Sequence, residues 1–119
     1  MDRDLIKQQL EHALEGTNFD DQGELYKGKV RDNYINEDTI TMVTTDRISA
    51  FDRVLGTVPF KGQALVELAD WWFGETADIV ANHIIKRPHP NVWKVKRCEP
   101  IQVEMVAVSY THLTLPTSR

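Results

Sequence analysis

A chain of 119 residues with 41% apolar and 27% charged residues suits one small globular unit, and its formal net charge of -4 argues against a strong overall attraction to nucleic acid or an anionic membrane. A single cysteine, Cys98, excludes an intrachain disulfide and a cysteine-built zinc site. No apolar run reaches bilayer length, and Met1-Asp2-Arg3-Asp4 lacks the pattern of a secretory signal, so a cytoplasmic protein is expected.

Leu5, Ile6, Gln9, Leu10, Ala13 and Leu14 recur at helical spacing, which predicts a helix over residues 3–15 with an apolar stripe on the core. Asp2 or Asp4 can cap it and Gly16 can end it. Residues 24–30 and 33–35 read as strands around a turn, and the β-branched run 39–45 as a third strand, with Asn36-Glu37-Asp38 as the hairpin tip. Residues 46–62 mix polar residues with Gly56, Pro59 and Gly62, which predicts an irregular loop. A second helix is predicted over 63–82, with Trp71, Trp72 and Phe73 adding large apolar area. Val92–Lys96 and Ile101–Val106 alternate as strands on either side of Glu99-Pro100. The fold class is α+β, an antiparallel sheet with flanking helices.

Two segments carry candidate chemistry. In Tyr26-Lys27-Gly28-Lys29-Val30-Arg31-Asp32, a glycine between lysines lets backbone N–H groups approach phosphate oxygens. Lys29 and Arg31 would share a strand face as a polyphosphate clamp. The same residues also fit an exposed hairpin, and the Walker A spacing is absent. In Thr45-Asp46-Arg47-Ile48-Ser49-Ala50-Phe51-Asp52, carboxylates, an arginine and a hydroxyl follow a strand. That cluster suits an anionic, polyhydroxylated ligand, or equally a capped turn in which Asp46 and Ser49 satisfy backbone donors.

Together these blocks resemble the SAICAR synthetase family. The likeness continues through Lys61-Gly62-Gln63-Ala64-Leu65, Trp72-Phe73 and Glu99–Val106, covering residues 24–106 in chain order. The resemblance implies the N-terminal ATP-binding lobe of an ATP-grasp-related fold, over residues 1–106. It implies that Gly28, Lys29, Val30 and Arg31 cover the ATP phosphates, with Lys29 and Arg31 neutralising charge on the transferring phosphoryl group. Glu104, Met105 and Val106 would meet the adenine through main-chain groups. Asp46, Arg47, Ser49 and Asp52 would face the ribotide, with Lys61 a weaker candidate. The implied reaction joins L-aspartate to carboxyaminoimidazole ribotide through an acyl phosphate, giving SAICAR, ADP and phosphate. ATP and Mg²⁺ are the implied cofactors, with the metal ligands in a C-terminal lobe outside this chain.

The likeness stops after Val106. Val108 stands where the family carries an arginine, and its Gly-Ser turn has no counterpart, so residues 107–119 are expected to be a non-native or disordered tail. An apolar face without its partner lobe is expected to promote self-association. The alternative function is a non-catalytic nucleotide- or phosphosugar-binding module; a kinase-like lobe has no need of the Asp-Arg-Ile-Ser-Ala-Phe-Asp block. His12, His83 and His89 lack a companion carboxylate cluster, so no metal site is expected from them.

Overall fold

The computed structural model describes residues 2–107, and the expectation for the tail beyond Ala107 lies outside them. Chain order is α1 (Arg3–Gln9), a 3-10 turn (Leu10–His12), β1 (Glu24–Lys27), β2 (Arg31–Ile35), β3 (Thr39–Thr44), β4 (Arg47–Ala50), β5 (Arg53–Thr57), α2 (Lys61–Glu75), β6 (Ile84–His89) and β7 (Val92–Lys96).

Five strands form one antiparallel sheet in the order β1-β2-β3-β7-β6, while β4 and β5 pair separately. The register aligns Asn33 with Met42 and Met42 with Trp93, so these residues share a sheet face. Val66, Ala69 and Phe73 of α2 recur on one helix side and pack with Trp93, Val95, Ile40 and Met42. Gly62 lets the start of α2 approach β3 closely. A Cβ there would overlap Thr44 O and come within 2.6 Å of Asn91 Nδ2. On the other face, Asp32 and Tyr34 are buried beneath the N-terminal segment, where Phe19 N donates to Tyr34 Oη at 3.1 Å.

The structure corrects the sequence reading in five places. The first helix ends at Gln9 rather than near residue 15, and none of its residues is buried. Ala13 is extended, and Leu14 exchanges hydrogen bonds with Asp46, donating to its carboxylate at 2.8 Å and accepting from its N–H at 2.8 Å. That pairing needs extended backbone. The second helix spans Lys61–Glu75 rather than 63–82; at its end the Thr76 hydroxyl bonds Trp72 O at 2.8 Å.

The expected irregular loop contains the β4–β5 hairpin. Its alternation is broken by a register shift between Ile48 and Ser49, and its tip uses Phe51 and Asp52 at φ 50 and 62 without a glycine. Residues 101–106 form no strand. Ile101, Val103, Met105 and Val106 are exposed, and the two sheet edges are β1 and β6. β6 went unread because Pro88 sits in it; an edge strand tolerates proline.

Candidate functional site

β1 and β2 are joined by a tight turn at Gly28-Lys29-Val30, closed by Gly28 N donating to Arg31 O at 2.8 Å. Strand β2 begins only at Arg31, so Lys29 belongs to the bend and does not share a strand face with Arg31. The Lys29 ammonium instead reaches the β4–β5 tip and pairs with Asp52 on an exposed surface. The hydrogen bond and charge of Asp52 raise the Lys29 pKa, and Lys29 in turn lowers that of Asp52. Arg31 is exposed and lies on the sheet face opposite Asp32.

Beneath the turn sits Arg47, only 5% exposed. Its Nε donates to Lys29 O at 3.0 Å, Nη2 to Gly28 O at 3.0 Å and to Asp32 Oδ1 at 2.9 Å, and Nη1 to Glu15 O at 2.6 Å. These bonds engage four of the guanidinium's five donors. Asp32 is completely buried, and its second oxygen accepts from Thr17 N at 2.8 Å and Thr17 Oγ1 at 3.1 Å. Burial alone would push the Asp32 carboxyl up. The Arg47 and Thr17 hydrogen bonds, with the Arg47 charge, outweigh that and hold it below the usual carboxylate range.

Asp46 and Arg47 were both expected on the ligand side; the structure gives their polar atoms to the protein. Asp46 is buried, with Oδ1 accepting from Gly62 N and Oδ2 from Leu14 N, each at 2.8 Å. Lys61 Nζ donates to Arg47 O at 2.9 Å. Ser49 is half-buried on β4 and pairs with Val54.

A cleft of about 740 Å³ opens where these parts meet. Lys27 and Gly28 line it from the first hairpin, Arg47, Val54, Gly56 and Thr57 from the second, and Glu15 and Gly16 from the N-terminal segment. Of the expected site residues, Gly28 and Arg47 meet at this cleft, while Lys29, Val30, Arg31, Asp46, Ser49, Asp52 and Lys61 are not among its lining residues; Lys29 and Asp52 pair with each other on an exposed surface. Glu104, Met105 and Val106 are exposed and are not among its lining residues. Lys27 was missed by the sequence reading. Its pairing with Asp32 puts it on the cleft side of the sheet, a parity signal that the choice of Lys29 and Arg31 passed over. Among the described residues, no group of three or more His, Cys, Asp or Glu could hold a metal ion.

The family model described as SAICAR synthetase matches residues 24–115. The chain belongs to the SAICAR synthetase family. The phosphoribosylaminoimidazole-succinocarboxamide synthase of Legionella pneumophila (strain Lens) is 50% identical over 96 residues, 81% of this chain and 31% of that relative. A chloroplastic synthase of the same name from Vigna aconitifolia is 47% identical over 92 residues, covering 77% of this chain and 27% of its own. The chain thus spans about a third of the length of these SAICAR synthetases. Among solved structures, SAICAR synthase from Saccharomyces cerevisiae, complexed with SAICAR, superposes with a TM-score of 0.64 at 27% identity, over 71% of this chain and 37% of that one. A type-2 SAICAR synthetase in complex with ADP shares the fold, with a TM-score of 0.55 at 24% identity, over 62% of this chain and 33% of that one. No described helix is long and apolar enough to cross a membrane.

Proposed function

We propose that this chain is the nucleotide-binding lobe of a cytoplasmic phosphoribosylaminoimidazole-succinocarboxamide synthase, kin to the ATP-grasp architecture. The observation that carries the reading is the meeting of two family segments, the glycine turn and the Asp46–Asp52 hairpin, at one cleft. Membership of the family and the ADP named with a solved relative support ATP as the ligand.

In this reading a carboxylate oxygen of the ribotide attacks the γ-phosphorus of ATP and ADP leaves. The aspartate amine then attacks the acyl carbon, phosphate departs, and the nitrogen loses a proton. Charge gathers on the phosphoryl oxygens in the first step, and nearby cations stabilise it. Lys29 fills that role, with Lys27 added from the cleft; Arg31, expected beside Lys29, lies on the sheet face away from the cleft. For Lys29 this means leaving Asp52 for phosphate. Ser49 and Asp52 serve the ribotide side. Asp46, Arg47 and Lys61 act there by holding the hairpin rather than by contact. Glu104, Met105 and Val106 remain the adenine-side residues of the proposal.

Mg²⁺ does not fit a site built from the described residues. Asp32, Asp46 and Asp52 each accept from protein donors. The ion belongs to the proposal only as a partner of ATP, with no step assigned to it in this chain.

Calorimetry of the chain with Mg-ATP tests the reading. Binding is expected to be weak, and no SAICAR is expected from this chain alone. Lys29→Ala should weaken binding about tenfold, the loss of one charge-assisted contact. Unchanged affinity would remove Lys29 from the site. A non-catalytic module of the same fold would bind ATP yet fail to support turnover when joined to the rest of a relative's sequence.

A further inference from the structure

We propose that residues 49–55, the outer half of the β4–β5 hairpin, form a flap that is a movable wall of the cleft. Its hinge is the bulge at Leu55-Gly56, and its latch is the ion pair between Lys29 and Asp52. Such a flap governs access to the cleft, whatever ligand enters it.

The hairpin changes character half-way along. Below the bulge it is fixed. Arg47 is buried, its side chain is bonded to Gly28 O, Lys29 O, Glu15 O and Asp32, and its own carbonyl accepts from Lys61 Nζ at 2.9 Å. Arg47 also pairs with Thr57 across the hairpin. One step further, Ile48 pairs with Gly56 but Ser49 pairs with Val54, so Leu55 is an extra residue in the ladder. A bulge of this kind interrupts the pairing and bends the strand. Beside it, a Cβ added to Gly56 would meet nothing within 4 Å. Interrupted pairing next to an uncrowded glycine is where a two-stranded ribbon bends most easily.

Above the bulge little holds the chain down. Val54 is 53% exposed, Leu55 67% and Phe51 100%. Phe51 and Asp52 turn the tip at φ 50 and 62, a left-handed conformation that is costly for a residue with a side chain. Packing of Phe51 does nothing to offset that cost. Asp52 instead reaches across to Lys29 of the β1–β2 turn. Among the described residues, no other side chain of the flap makes a hydrogen bond or ion pair. Both partners are largely exposed, so the pair is weak and screened by salt. Val54 of the flap and Gly28 of the facing turn both line the cleft, so the latch joins its two walls. A strained tip held by one weak contact is poised to open.

The test reads the position of the flap and uses no ligand. A nitroxide is attached at Phe51→Cys in the ¹⁵N-labelled full chain carrying Cys98→Ser, since Cys98 is the one native cysteine. In dilute buffer the label should broaden the amides of Gly28 and Lys29 across the cleft. Salt at about 0.5 M, where screening acts within a few ångströms, should remove much of that broadening. Asp52→Asn, which tolerates the left-handed backbone but lacks the charge, should remove it in dilute buffer as well. Asp52→Glu, which keeps the charge, should retain it. Broadening that survives in Asp52→Asn, or is lost equally in both variants, overturns the latch. Gly56→Ala has room for its methyl and should stiffen the hinge, so that less broadening is lost in salt; an unchanged salt response there overturns the hinge. The amide shifts of Arg47 and Thr57 should hold constant throughout. Their collapse to random-coil values would mean that the whole hairpin melts, and would overturn a rigid flap.

Discussion

Asp32 and Arg47 dominate at the scale of single residues. Removing one partner of a buried pair leaves an uncompensated charge, so Asp32→Ala should cost about 3–5 kcal/mol by denaturant unfolding. The pair also sets an acid limit. The folded Asp32 carboxyl lies below its ordinary range, so its contribution is fully present above that range and is lost as pH falls through the folded value. Melting curves of the native chain should therefore drop on the acid side, and Asp32→Asn should flatten that limb. An unaltered acid profile in the variant would show that other groups set it. The Arg-Asp spacing gave no sign of this pair in the sequence, because its partners lie 15 residues apart and meet only through the β2–β3 register.

Among the elements, α2 depends on the absence of a side chain at Gly62. Gly62→Ala would drive a methyl into Thr44 O and Asn91, while Gly74, with nothing within 4 Å, has room for one. Gly62→Ala should destabilise by more than about 2 kcal/mol, and Gly74→Ala should stabilise by up to about 1 kcal/mol, as measured by urea unfolding. Two alanines of equal effect would mean that the close approach is relieved by a shift of the helix. The sequence told most where periodicity and burial coincide. β3 and β7 were legible from their alternation, but in α2 the expected Trp71 and Trp72 are roughly half exposed while Val66, which the sequence reading did not single out, carries the core. It told least where long-range pairing overrode local pattern. Leu14 was drawn out of a helix by Asp46, and the β4–β5 hairpin turned through two left-handed residues that no glycine announced. At the candidate site Arg47 bonds Gly28 O and Lys29 pairs with Asp52, contacts between segments that carry no local sequence signal.

For the whole molecule, the balance between buried and exposed apolar surface matters most. Among the described residues, the buried apolar set is Tyr34, Val43, Val66, Trp93 and Val95, while Leu65, Leu68, Trp71 and Trp72 on α2 are roughly half exposed. Leu65, Leu68, Trp72 and Phe73 line an apolar hollow of about 480 Å³. Such a surface associates in water. Sedimentation velocity should show concentration-dependent self-association, reduced in Trp72→Lys; a monomer at every concentration would sink this expectation. The position of Asp46 sets a further property. Its backbone and carboxylate together hold Leu14, Val58 and Gly62, tying the N-terminal segment, the residue after β5 and the first turn of α2 to one point. Segments knotted at a common residue cannot drift separately, so the freedom lost in shaping the socket is surrendered as the chain folds, and an arriving ligand meets a mould already set.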